Sequence, residues 1–284
     1  MIGRGNLPGK LRIRRGFAAE EREIQGFISS YGDVMRKLVA GNWKMNGLSA
    51  SLGELVALKD GLASASPACD VLICPPATLI AQANWAIKGA FALGGQDCHF
   101  EAKGAFTGDL AAEMLADAGA SYVIVGHSER RQYHGETSAN VARKAQGAWR
   151  AGLKAIICIG ESLIERQVGS ANHICESQLK DSVPDGATPA NTVIAYEPVW
   201  AIGTGVTPTA ADIAAMHAHV RACLVAKLGE GAKAMLILYG GSVNPGNAAE
   251  ILSLPEVGGA LVGGASLKAA DFLKIIGAGR GSLA

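Results

Sequence analysis

The feature that most restricts the fold of this chain is a regular beat of short apolar runs. They lie at 38–40, 71–74, 91–93, 122–125, 155–159, 193–196, 235–239 and 260–262. Their centres stand roughly 32 residues apart on average, the length of one β-α unit. The runs are continuous rather than alternating and rich in Val, Ile and Leu, as in parallel strands covered on both faces. Between them, apolar residues recur at helical spacing. Leu52, Leu55, Val56, Leu58 and Leu62 do so in 49–65, and Ile213, Met216, Val220, Leu224 and Leu228 do so in 210–228. Further helices are expected at 78–89, 111–118, 138–151, 162–180, 245–252 and 267–276, with Ser49, Thr78 and Ser138 as caps. Eight such units without a break in composition predict an α/β chain folded as a single (β/α)8 barrel with a closed eight-stranded parallel sheet. A doubly wound sheet would need fewer strands and a Gly-rich first turn. Here the first strand runs into Asn42-Trp43-Lys44 instead.

Composition fits that expectation. Hydrophobic residues make up 49% of the chain, enough for a sizeable core. The 37 glycines follow no triplet period, so they serve turns and close backbone approaches. A net charge of +1 gives no global reason to bind nucleic acid or an anionic membrane. The charge is uneven, with eight bases and four acids in residues 1–37. Residues 1–34 therefore read as a basic extension, either disordered or a misassigned start before Met35, and residues 35–284 as the catalytic domain. No apolar run approaches the ~18 residues of a membrane span. No secretory core follows the basic start. Six cysteines without Cys-x-x-Cys or zinc-finger spacing read as free thiols in a reducing, cytoplasmic setting.

Barrels of this kind place reacting groups where strands end and loops begin. After the first run stands Lys44, which could aim a cation into the barrel mouth or be an ordinary turn lysine. After the fourth come Gly126-His127-Ser128-Glu129. Histidine suits proton movement near neutral pH, and Ser128 could cap a short helix there. After the sixth, Glu197 would be a carboxylate at the end of a buried strand, which needs a partner or a task. Behind it, 198–208 has a Pro-Val-Trp start and a Gly-Thr-Gly tip, a composition suited to a lid. After the seventh and eighth runs, Gly240-Gly241-Ser242 and Gly263-Gly264 offer backbone N–H groups to an anion.

The blocks 41–46, 125–131, 196–205, 239–243 and 261–264, in this order, resemble the motifs of the triosephosphate isomerases, the family that gives the TIM barrel its name. The resemblance covers about residues 36–277. It implies interconversion of glyceraldehyde 3-phosphate and dihydroxyacetone phosphate through an enediol, in glycolysis and gluconeogenesis. Glu197 matches the general base and His127 the neutral electrophile. Lys44 matches the cation that offsets developing charge, and Asn42 a polar contact to the same oxygens. Glu129 matches an acid close to that lysine, with a positioning role, and Ser128 is a further supporting residue. Gly203, Ser242, Gly263 and Gly264 match the phosphate contacts, and Trp200 with Glu161 matches the contact between lid and body. No metal and no organic cofactor is implied. The segment 96–109 resembles the loop that enters a second subunit, with Thr107 approaching the partner's active site, so a homodimer is implied. Two departures stand out. Pro208 would stiffen the second lid hinge, and Asp97 and Asp109 replace residues that are often Asn and Glu.

Other signals carry less. The Gly-x-Gly steps at 203 and 277 lack the third glycine of a dinucleotide fingerprint. His217 and His219, two apart on a helix, face different directions and cannot readily share a metal. Cys158 reads as a packed thiol. Another sugar-phosphate barrel with a Schiff-base lysine, or a barrel kept only for binding, are the competing readings.

Overall fold

Among the described residues the computed structural model has eight strands, where the apolar runs can be covered on both sides. They are β1 (Leu38–Asn42), β2 (Asp70–Cys74), β3 (Ala92–Gly95), β4 (Tyr122–Val125), β5 (Lys154–Ile159), β6 (Thr192–Tyr196), β7 (Ile237–Tyr239) and β8 (Gly259–Val262). The structure describes residues 36–65, 67–202 and 208–279, together with Met1. Each strand pairs in parallel with the next, and β8 returns to β1, closing the expected (β/α)8 barrel. The period of two divides each strand between two cores. Leu38, Ala40, Ile124, Ile156, Val193, Ala195 and Leu238 pack together inside the barrel. Their sequence neighbours Val39, Val123, Ile157 and Ile194 belong to a larger cluster shared with the helices.

The helices are α1 (Leu52–Ala65), α2 (Ala77–Ile87), α3 (Ala112–Asp117), α4 (Ser128–His134), α5 (Ser138–Arg150), α6 (Leu163–Gln167), α7 (Ala171–Ser182), α8 (Ala210–Leu228), α9 (Ala248–Ser253) and α10 (Ala269–Ala278). The stretch 162–180 is not one helix. It breaks at Gly169, whose φ of +76° suits glycine, before α7 starts afresh. The caps also differ from expectation. Thr137, not Ser138, caps α5 by accepting the Asn140 N–H at 3.2 Å. Helix α2 starts after Pro76, not at Thr78, and Ser49 lies inside a short 3-10 turn. All six cysteines are free thiols. No helix of the described residues is long and apolar enough to cross a membrane. Apart from Met1, the basic extension 1–34 lies outside the described residues.

Candidate active site

Strand parity builds the floor of the site. Continuing the inward-facing series to or just past each strand end gives Asn42 after Leu38 and Ala40, and Glu197 after Val193 and Ala195. The same count gives Gly160 after Cys158, Gly240 after Leu238 and Gly263 after Leu261. Glu197 is only 1% exposed. Two glycines make room for it. A Cβ on Gly160 would stand 1.7 Å from the Glu197 carbonyl oxygen, and one on Gly240 would stand 2.8 Å from Glu197 Cγ. Neither glycine stood out in the sequence for this purpose, although the parity count could have flagged both.

His127 reaches the same place by a different route. It is itself the N-cap of α4, its Nδ1 accepting the Glu129 N–H at 3.2 Å. Ser128 is thus the first helical residue rather than the cap, and its own N–H donates to Glu197 Oε2 at 2.9 Å. In the neutral ring Nδ1 keeps its lone pair for that N–H and the ring proton sits on Nε2. That atom lies 2.9 Å from Glu197 Oε1. Burial works against charge on both partners, but their mutual attraction prevails. His127 is raised from its ordinary value and Glu197 lowered, the Ser128 N–H adding to the latter.

Lys44 adopts a left-handed backbone, φ +54°, unusual for a side chain of its length. Its N–H donates to Asn42 Oδ1 at 3.0 Å, and the Gln96 amide donates to its carbonyl at 2.8 Å and to that of Cys74 at 2.9 Å. Gln96 therefore braces the turn that presents Lys44, a role its sequence position did not signal. The Lys44 ammonium pairs with Glu129 at 2.5 Å.

Asn42, Lys44, His127, Glu197, Ser242, Gly263 and Gly264 all line one cavity of about 310 Å³, whose apolar wall includes Ile202 and Leu261. Trp200 Nε1 donates to Glu161 Oε1 at 2.8 Å, and the Tyr196 hydroxyl donates to the same oxygen at 3.1 Å. Gly203 lies outside the described residues, so its place at the phosphate end is not described. Thr107 is exposed and does not line this cavity. Cys158 is buried, its thiol pushed well up by that burial and then by Glu197, as suits a packed thiol.

Behind the histidine turn lies a charge cluster that the sequence did not reveal. Glu136 Oε2 accepts the Gly126 N–H at 2.9 Å, while its other oxygen meets the Lys144 ammonium. Lys144 also donates to both Asp97 oxygens, at 2.8 and 2.9 Å, and Arg130 pairs with Asp97 at 2.8 Å. The four residues are spread from position 97 to position 144 of the chain, so no local pattern announces them.

The site can hold a small anionic molecule between a proton-exchanging pair and glycine turns. The chain also resembles known proteins. The profile of the triosephosphate isomerase family matches residues 37–279. The triosephosphate isomerase of Afipia carboxidovorans is 61% identical over 242 residues, covering 85% of this chain and 96% of its own. That of a Chelativorans species is 60% identical over 250 residues, covering 87% of this chain and 98% of its own. A crystal structure of triosephosphate isomerase from Bartonella henselae matches with a TM-score of 0.81 at 49% identity, spanning 87% of this chain and all of its own.

Proposed function

The chain belongs to the triosephosphate isomerase family and isomerises triose phosphates, a step of glycolysis and gluconeogenesis, and we propose that Glu197, His127 and Lys44 carry the chemistry. The observation that carries this is Glu197 and His127 Nε2, 2.9 Å apart, on a cavity also lined by Ser242, Gly263 and Gly264. A substrate carbonyl entering between the pair takes over the Nε2–H. Glu197, parted from His127 and facing Ile202 and Leu261, loses what holds its proton affinity down. In that drier setting it becomes a stronger base. It removes a proton from the carbon beside the carbonyl and returns it to the neighbouring carbon. Neutral His127 polarises the carbonyl and moves protons between the two oxygens, for which triosephosphate isomerases are the reference case. Lys44 and Asn42 offset the charge on those oxygens. Backbone N–H groups of Ser242, Gly263, Gly264 and Gly203 hold the phosphate. The 198–208 lid excludes water, with Trp200 exchanging its bond to Glu161 as it moves. The sequence of proton transfers needs neither metal nor organic cofactor. In a coupled assay with glyceraldehyde 3-phosphate, Glu197→Ala should lose roughly 10²–10⁴-fold in kcat. A loss below tenfold would remove Glu197 from the role of base.

The working form is a homodimer. Met45 and Leu48 are 97% and 79% exposed beside the site, and Phe106, Leu110 and Met114 are exposed along and after the 96–109 loop. A cavity of about 660 Å³ lined by Met45, Leu48, Gln96 and Leu110 offers such a loop a seat, bringing Thr107 of the partner subunit toward Lys44. Light scattering at assay concentration should give twice the chain mass, and a monomer at full activity would sink this. Residues 35–284 hold the activity, so a chain begun at Met35 should turn over as fast as the whole. The setting is cytoplasmic, in keeping with six free thiols, and recovery of the activity from a membrane or exported fraction would count against it.

A further inference from the structure

Away from the cavity, α7 and α8 present a grouping that the isomerase chemistry does not use. His219 and Cys223 stand one turn apart on α8 and so share a face. Glu176 lies opposite on α7. Among the described residues these make the one set of three such side chains whose ligand atoms lie within 4.8 Å of one another. His219 Nε2 and Cys223 Sγ are 3.6 Å apart. Zinc bonds of about 2.3 Å to sulfur and 2.0 Å to nitrogen, at a tetrahedral angle, set those two atoms roughly 3.6 Å apart. The ring nitrogen and the sulfur thus stand at the edge length of a zinc tetrahedron.

His219 Nε2 also lies 3.2 Å from the Asn172 carbonyl oxygen, to which it can donate when no ion is bound. A bound ion takes the lone pair of Nε2 in place of that hydrogen bond, the ring proton moving to Nδ1, and takes the thiolate of Cys223, whose proton leaves to solvent as the metal–sulfur bond forms. Oxidation states do not change. The same pocket, about 550 Å³, also carries Lys180 and Lys227. Lys227 is engaged elsewhere, with the Lys180 carbonyl at 3.1 Å and Asp185 at 3.3 Å.

We propose that Glu176, His219 and Cys223 bind one divalent ion of the zinc class, clamping α7 to α8, with water completing the tetrahedron. Sulfur and imidazole select such a borderline-soft ion over calcium or magnesium, which favour oxygen. Half-exposed helix positions make the site reachable from solvent.

Titrating the full-length, reduced, metal-free chain with zinc should show one equivalent bound and about one proton released. The melting temperature should rise by roughly 5 °C at a hundredfold excess over Kd. Cobalt in place of zinc should give a thiolate-to-cobalt charge-transfer band. Cys223→Ser should abolish the band and His219→Gln should weaken binding at least tenfold, both leaving metal-free turnover unchanged. Glu176→Gln should weaken zinc binding while the band survives. Absence of the band in the parent chain, or its persistence in Cys223→Ser, would overturn the assignment.

Discussion

Glu197 and Glu136 are both carboxylates taken out of water close to the end of β4, and what surrounds them differs. Glu136 is wedged between the Gly126 N–H, the Lys144 ammonium and, at 3.8 Å, Arg130. It stands in a cluster of two bases and two acids with no reacting molecule to meet. Glu197 rests on one backbone N–H and on a histidine, the side chain that exchanges protons near neutral pH, and it opens on a cavity. Burial beside an opposite charge therefore marks a brace as readily as a site. What separates them is whether the partner can change its protonation state and whether there is room for a reactant.

The same isosteric change at both positions puts the most strain on this comparison. Glu197→Gln should lower kcat by roughly 10²–10⁴-fold with little loss of fold, since the amide oxygen still accepts from Ser128. Glu136→Gln should do the reverse. Glu136 alone ties the Gly126 N–H to the Lys144 ammonium, so taking its charge away should remove about 3–5 kcal/mol of unfolding free energy, read in urea melts. Its kcat per folded molecule should stay far nearer to normal. Equal kcat losses in the two variants would place Glu136 in the chemistry and end the distinction.

The two carboxylates also differ in how far the sequence could announce them. Glu197 follows a continuous apolar run, and parity along β6 turns it inward, so a purely local pattern reached it. The barrel was legible for the same reason, because buried parallel strands are marked by runs and α8 by its unbroken stripe over Ala210–Leu228. Glu136 instead acquires its partners from Asp97 on the loop after β3 and Lys144 on α5, contacts that closure of the barrel creates. Gln96 holds the left-handed Lys44 across 52 residues for the same reason. The cap falls one residue before Ser128, at His127, because an imidazole nitrogen there does what a hydroxyl commonly does. His219 and Cys223 stand four apart, one helical turn, but Glu176 joins them only through the packing of α7 on α8, which no local spacing marks.

A smaller effect sharpens the Glu197 side. Burial disfavours charge on both members of its pair, yet Glu197 is lowered from 4.5 and His127 raised from 6.5 by their proximity. The Glu197 contribution to stability is present above about 4.5 and is lost as pH falls through its lower folded value. The His127 contribution is present below about 6.5 and is lost as pH rises through its higher folded value. Both act in full only between about 4.5 and 6.5. The stability deficit of His127→Gln should therefore be largest near pH 5.5 and shrink on either side, in urea melts across the range. A deficit that stays flat with pH would mean the pair is not ionised in the free protein.

The smallest expected effect tests the brace from its other acid. Asp97 is raised from its ordinary value, first by burial and then, against the pull of Lys144, by Glu136 beside it. An acid raised on folding leaves the folded chain at a disadvantage once pH exceeds that higher value, and the disadvantage vanishes below about 3.8, where both states are protonated. Asn at this position keeps an oxygen for Lys144 and carries no charge to bury. Asp97→Asn should accordingly gain stability at pH 7, at the low end of the about 0.5–2 kcal/mol of single stabilising changes, and none near pH 3. Turnover should not move, because Asp97 touches the braces of the site and not its cavity. A destabilised Asp97→Asn at pH 7 would show that the cluster depends on two negative charges balancing Arg130 and Lys144, and that its acids cannot be exchanged one at a time.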